Sequence, residues 1–211
     1  MSQNGELWEL VQKPATEVGP ALLGAVLRHE SPAGAVAVRL TEVEAYLGPA
    51  DSPDPDPGAH SFRGKTNRNA VMFGPPAHLY VYFTYGMHFC ANLVCRPEGI
   101  SSGCLMRAGE IVEGLELARS RRPTARHDHE LAQGPARLTK ALGLDLRHNG
   151  ISALGGTVTV TLPESPVAQV QTGPRVGVSG PGGTAQYPWR FWIDGDKTVS
   201  KFRPAVIRAP R

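Results

Sequence analysis

Residues 79–94, LYVYFTYGMHFCANLV, hold two apolar and aromatic runs separated by only a few residues around Gly86. Parallel pairing needs a crossover of roughly a dozen residues or more, so runs this close can pair only by reversing direction. Leu79–Thr84 and His88–Cys95 therefore read as two strands joined by a tight connection that contains Tyr85 and Gly86. The same stretch gathers Tyr80, Tyr82, Phe83, Tyr85 and Phe89, although aromatic residues make up only 7% of the chain. Such a cluster is either the packed core of a hairpin or a platform on which bases stack.

Other segments fit an antiparallel setting. Val36, Val38 and Leu40 alternate with Ala37, Arg39 and Thr41, as in a half-buried strand. SPDPDPG at 52–58 holds three prolines and a glycine, which break any ladder, so 49–60 reads as an exposed loop. Gly103–Ala108 reads as a further strand, followed by a helix over GEIVEGLELARS at 109–120 and a polar connection over 119–129. Residues 14–28 predict a short amphipathic helix, with Val18, Leu22, Leu23, Val26 and Leu27 at helical spacing. GPARLTKALGL at 134–144 has proline at a first helical position and glycine near the end, the expected polarity of helix signals. The last third, through GTVTVTLP, QVQTGPRVGVSG and PWRFWIDGDKTVSK, alternates like short antiparallel strands. Together these elements predict an α+β fold, one compact mixed domain over residues 1–211 built around a mainly antiparallel sheet.

At 211 residues the chain can bury a core without a metal or disulfide staple. Its three cysteines, Cys90, Cys95 and Cys104, are odd in number, and the short N-terminus carries no targeting segment. Both features predict a reducing compartment, the cytoplasm. No apolar run is long enough for a membrane span. A formal charge of +3 permits a nucleic-acid partner without requiring one. Seventeen arginines against five lysines offer forks suited to phosphate, although a GC-rich genome also enriches arginine. Richness in Arg, Ala, Gly and Pro points to a bacterial source.

If the strand at 36–46 keeps a period of two, Val36, Val38, Leu40, Glu42, Glu44 and Tyr46 share one face, and two carboxylates end an apolar stripe. A buried carboxylate is either paired, here with Arg107 or Arg39, or part of a functional pocket, and the spacing leaves both open. The helix near Pro135 points free amides at whatever precedes it, with Arg137 and Lys140 close by; Arg63, Lys65 and Arg68 form a second basic group. Each group alone is an ordinary solvated face. With the tyrosine-rich hairpin they match the pairing of phosphate contacts and stacking rings in nucleic-acid binders. His78, His88, Cys90 and Cys95 lack a zinc spacing, and Asp51, Asp54 and Asp56 lack the glycine and terminal glutamate of a calcium loop, so no metal or other cofactor is predicted. No GxSxG elbow or Cys/His signature marks a nucleophile.

Five blocks carry a resemblance: TEVEAYLG at 41–48, HSFRGKTNRNAVMFG at 60–74, LYVYFTYGMHFCANLV at 79–94, CLMRAGEIVEG at 104–114 and QGPARLTKALG at 133–143. In this order and at these separations they resemble the alkyladenine, or 3-methyladenine, DNA glycosylase family of the mammalian type. The similarity runs over roughly residues 15–205, including RVGV at 175–178 and PWRFWI at 188–193. The resemblance implies a curved, open-barrel-like antiparallel sheet flanked by helices, with a protruding hairpin. It also implies a monofunctional enzyme that flips 3-methyladenine, 7-methylguanine, hypoxanthine or ethenoadenine out of duplex DNA and hydrolyses the N-glycosidic bond, leaving an abasic site. No lysine or N-terminal proline near these blocks offers an amine nucleophile, in keeping with hydrolysis.

Residue by residue, Glu44 matches the family's general base and Arg107 an arginine that helps hold the water and a phosphate. Tyr46, His60 and Tyr82 match the residues that sandwich the flipped base, and Asn92 matches the asparagine that excludes normal guanine. Tyr85 matches the wedge that fills the vacated stack. The backbone carbonyl of Gln133 is a candidate water partner, and Gly134, Pro135 and Arg137 follow at the helix start. The partner is duplex DNA with damaged purines, acted on by a monomer. The Tyr46–His60 span is longer than in the mammalian form, which bears on the pose of His60, and its acidic loop is expected to point away from DNA. Two competing readings are a catalytically silent lesion or single-strand binding module and a metal-dependent nuclease using Glu44 and the Asp-rich loop.

Overall fold

A computed structural model describes residues 2–84 and 86–205. The chain opens with α1 (Gln3–Val11), whose first turn is capped by the Ser2 side chain accepting from the Gly5 amide, and α2 (Ala15–Ala21). The helix expected over 14–28 stops at Ala21, because Gly24 takes a positive φ of 83° and the chain reverses into β1 (Val26–Ser31). Val26 and Leu27 thus sit in a strand, paired with Arg39 and Val38 on one side and Thr161 and Val160 on the other. Helical spacing in so short a segment does not compete with two flanking ladders.

The sheet is organised by β2 (Gly34–Tyr46), a strand of 13 residues. Its first half pairs with β1 and residues 42–44 pair with the last strand, while β5 (Gly103–Glu113) runs along its other edge from Ala37↔Glu113 to Tyr46↔Gly103. This long partner also explains why residues 109–113 are strand and not helix. The helix begins only after Gly114, at a φ of 73°, as α3 (Leu115–Arg121). The predicted hairpin is present as β3 (Leu79–Thr84) and β4 (His88–Val94), with β4 joined to β5. β6 (Ala132–Gln133) pairs with β5 and leads into α4 (Pro135–Leu142), which starts on proline and closes at Gly143 with a φ of 76°. The remaining strands are β7 (Leu154–Gly155), β8 (Val158–Thr161), β9 (Val170–Gly173) and β10 (Arg190–Ile193). The strand ladders are all antiparallel and form one curved sheet in the order β3-β4-β5-β2-β1-β8-β7, with β10 branching from β2. No helix among the described residues is long and apolar enough to cross a membrane.

One face of this sheet is packed by helices. Leu7, Val18, Leu138 and Leu142 meet Val36, Val38, Leu40, Val43 and Ala45 in a single apolar core. Full burial of such a side chain contributes about 1.5–3 kcal/mol relative to leaving it exposed. The core positions of β2 run 36, 38, 40 and then 43, 45, so the alternation changes phase between Leu40 and Val43. Register shifts show why. Leu40 faces Gly109 and Glu42 faces Ala108, which leaves Thr41 as an extra residue on β2; Val43 then faces Met106, which leaves Arg107 as an extra residue on β5. Two opposed bulges restore the register but invert the faces. The close approach requires glycine at 109, where a Cβ would collide with the Arg39 carbonyl. Glu42 and Glu44 therefore do not continue the Val36–Leu40 stripe, as an unbroken period of two predicts. They lie on the opposite face, away from the helices.

Candidate active site

On that face the hairpin supplies one wall of a cavity of about 460 Å³. Tyr80 is registered opposite Asn92 and Tyr82 opposite Cys90, so these four side chains point the same way while Leu79, Val81, Ala91 and Leu93 enter the core. All four line the cavity, together with Tyr46 from β2, His60, Leu105 and Arg107 from β5, and Pro135 at the start of α4. The rings make direct contacts. Tyr80 and Tyr82 stack with centroids 5.4 Å apart, and His60 meets Tyr82 edge-on at 4.6 Å. His60 Nδ1 lies 3.3 Å from the Tyr80 hydroxyl. The Asn92 amide donates to the Tyr80 carbonyl at 3.2 Å, which fixes its rotamer inside the pocket. Desolvation, with Arg68 as a second cause, holds the His60 pKa below the ordinary histidine value, so the ring is neutral near pH 7. Burial pushes the Tyr82 hydroxyl far above its usual range.

Behind Tyr46 and Arg107 sits Glu44, fully buried and ion-paired. Its Oε2 accepts from the Tyr46 hydroxyl at 2.9 Å and from Arg107 Nη1 at 3.1 Å, and its Oε1 accepts from the Val176 amide at 2.6 Å. A carboxylate has about four acceptor positions, so about one is left unused by these three donors. Both alternatives left open by the sequence are thus present at once: Glu44 is paired with Arg107, and the pair lies against a pocket. Arg39 instead pairs with Glu110 and Asp196.

Arg107 is held from its other side. Its Nε donates to Glu42 Oε1 at 2.9 Å, and Arg190 Nε donates to the same oxygen at 2.7 Å. Glu42 Oε2 accepts from the Ser200 amide at 2.8 Å. Burial alone would raise the Glu42 pKa, but Arg107, Arg190 and these hydrogen bonds outweigh it and hold the carboxyl below its ordinary value. The result is a buried alternation of two carboxylates and two guanidiniums, balanced in charge.

The other predicted positions divide. Gly134 adopts a φ of 120° at the turn into α4 and Pro135 reaches the cavity. The Gln133 side chain points elsewhere, donating to the Lys197 and Val199 carbonyls at 2.9 and 3.2 Å, while its backbone lies in the β5–β6 ladder. Arg137 is exposed and lines a separate groove with His88, Arg122 and Lys140. Tyr85 lies outside the described residues. Arg63, Lys65 and Arg68 are exposed, and Arg68 donates to the Phe83 carbonyl at the edge of the hairpin. Among the described residues no three His, Cys, Asp or Glu side chains gather in a way that could hold a metal ion.

Three contributors escaped sequence reasoning. Val176 supplies a backbone amide to Glu44 from 132 residues away, a contact that side-chain identity cannot announce. Asn69 is buried and donates to the His60 and Gly64 carbonyls, both at 3.0 Å, while accepting from the Thr66 amide, so it shapes the loop that carries His60. Asp56, read as part of an exposed loop, has no exposure at all: its carboxylate forms a bidentate pair with Arg175. The loop folds back through mutual hydrogen bonds of Gly48 with Asp54 and Asp56, which places a polar side chain inside despite its prolines.

The family signature described as Methylpurine-DNA glycosylase (MPG) matches residues 9–197. A protein of Streptomyces avermitilis, provisionally named a 3-methyladenine DNA glycosylase, is 55% identical over 208 residues, covering 96% of this chain and 94% of its own. Proteins given the same provisional name in Leifsonia xyli subsp. xyli and Nocardia farcinica are 53% and 48% identical, covering 89% and 96% of this chain and 87% and 97% of their own.

Proposed function

We propose, from the premise that this chain belongs to the methylpurine-DNA glycosylase family and is therefore a DNA glycosylase, a hydrolase of N-glycosyl bonds, that it takes damaged purines into the Tyr46–Tyr82 cavity and that Glu44 is the base of the reaction. The observation that carries this reading is the position of Glu44, buried directly behind two cavity-lining side chains and fixed by three donors. Glu44 takes a proton from a water, whose oxygen bonds to the anomeric carbon as the glycosidic bond breaks and its electron pair leaves with the base. A cationic 3-methyladenine departs neutral without further help, whereas hypoxanthine requires a proton from solvent or another donor.

Entry requires the nucleotide to leave the helix, at a cost of a few kcal/mol. The rings of Tyr46, His60 and Tyr82 offset this by stacking, worth about 1–3 kcal/mol per base and tolerant of different purines. Asn92, held by the Tyr80 carbonyl, crowds the exocyclic amino group of a normal guanine. Tyr85 is assigned the wedge by resemblance, and the exposed Arg63, Lys65, Arg68 and Arg137 supply phosphate contacts. Pro57 and Gly58 at the end of the 51–58 loop line the cavity, while its acidic residues face away from DNA, a reading supported by the burial of Asp56 and the Asp54–Arg96 pair at 2.6 Å. All of these groups come from one chain, so a monomer suffices, acting on cytoplasmic DNA.

Base release in EDTA tests the reading: free 3-methyladenine or 7-methylguanine from a methylated duplex, or hypoxanthine from a duplex carrying one such base, with an undamaged duplex left intact. Binding to those duplexes without release supports a silent binding module instead. Cleavage that disappears in EDTA supports the nuclease.

A further inference from the structure

Arg175 and Asp56 form an ion pair with no side-chain exposure on either partner, at 2.6 and 2.7 Å. Such a pair is weak evidence for stability, because desolvation of two charges offsets most of their attraction. Its connections are more informative. Arg175 Nη1 also donates to the Ala45 carbonyl at 2.9 Å and Nη2 to the Gly182 carbonyl at 2.8 Å. Asp56 accepts in turn from the Leu47 amide at 3.0 Å and the Gly58 amide at 2.8 Å. The two bonded backbone groups, Ala45 in β2 and Leu47 just past its end, flank Tyr46. The guanidinium carbon lies 4.5 Å from the Tyr46 ring centroid, and Arg175 does not itself line the cavity that Tyr46 lines. The next residue, Val176, is the one whose amide donates to Glu44.

We infer that Arg175, fixed by Asp56, is a positioning residue for the hydrolytic step: it backs the Tyr46 ring and sets the Val176 amide that orients the Glu44 carboxylate. The inference rests on the reading of Glu44 as the base. Asp56 saturates its oxygens with the two guanidinium bonds and two amides, so the fork has one geometry. The loop that carries Asp56 continues to Gly58 and His60, and a Cβ at Gly58 would collide with the Arg175 guanidinium. One pair therefore sets the backbone on three sides of the cavity: the end of β2, the 56–60 segment and the 175–179 segment. A lysine at 175 keeps the charge but loses the planar fork.

The experiment is single-turnover base release from a methylated duplex at increasing enzyme concentration, for wild type, Arg175→Lys and Asp56→Asn, each assayed below its thermal midpoint. The positioning role predicts a maximal rate lower by about 10–100-fold for both variants, with the half-saturating concentration within about threefold of wild type. Maximal rates within about twofold of wild type overturn the inference. So does a loss confined to half-saturation, which makes the pair a feature of binding. Failure of both variants to fold also overturns it, since the pair is then a determinant of the fold. A wild type that releases no base defeats the reading of Glu44 first and this inference with it. An active wild type beside unaffected variants defeats the inference alone.

Discussion

Arg107 Nη1 reaches Glu44 Oε2 at 3.1 Å because Arg107 is the extra residue of the β5 bulge, directly across from the point where β2 changes phase. Without that bulge pair the glutamates would stay on the helix-packed face with Val36, Val38 and Leu40. The bulges convert a core strand into one that presents charge to a cavity, and they place the neutralising cation there with it.

Removing that cation leaves two buried carboxylates, Glu42 still paired with Arg190 and Glu44 without its ion pair. Arg107→Met is expected to cost about 3–5 kcal/mol of stability, the cost typical of breaking a buried pair from one side. Urea denaturation followed by circular dichroism measures it. A loss below about 1 kcal/mol, the range of exposed pairs, contradicts the buried network described for Glu42, Glu44 and Arg107.

Tyr82→Leu keeps the pocket apolar but removes a stacking face. Lesion-duplex affinity should fall by about 5–150-fold, corresponding to about 1–3 kcal/mol for one stacked base. Titration of a fluorescent hypoxanthine duplex reads this directly. Unchanged affinity removes Tyr82 from the base-binding surface.

Asn69→Ala should act through the loop. It strips donors from the His60 and Gly64 carbonyls and an acceptor from the Thr66 amide, at a cost of about 1–3 kcal/mol where these groups stay buried. Thermal unfolding gives the cost, and base release at limiting enzyme should weaken with it because His60 loses its support. Wild-type behaviour in both assays contradicts this account of the loop.

Stability should also fall on mild acidification. His29 is buried, with Nδ1 2.8 Å from the Leu142 carbonyl and Nε2 3.1 Å from His148 Nε2, an arrangement satisfied by a neutral ring. Burial is the largest cause that lowers its pKa. Above the unfolded value, about 6.5, neither state binds the proton and nothing is lost. As pH falls below about 6.5 the unfolded chain takes up the proton first, so stability declines until the folded pKa is passed. The thermal midpoint should therefore drop between about pH 7 and pH 5, less steeply in His29→Gln. Equal slopes for the two proteins contradict the role of His29.

The hairpin, the β2 strand and α4 were legible because each is fixed locally, by a short connection, by alternation, or by proline and glycine at the helix ends. Glu44, Tyr46, His60, Tyr82, Asn92 and Arg107 could be nominated by resemblance, and the fold brings the last five to line one cavity with Glu44 bonded to Tyr46 and Arg107 behind them. Strand phase was not legible, since a bulge depends on the register of a partner about 65 residues away. Asp56 in a Pro-rich run looked solvated because its partner lies 119 residues on. The helices expected over 14–28 and 109–120 yielded in part to strands for a related reason: ladders on β2 outweigh a local helical period.

Whether the buried Glu44 performs the hydrolysis is decided by single-turnover release from a methylated duplex in EDTA, wild type beside Glu44→Gln. The substitution keeps size and shape, so binding to the lesion duplex should stay within about threefold while release falls by about 100-fold or more, as for loss of a general base. Release by Glu44→Gln at a rate near that of wild type would contradict that role.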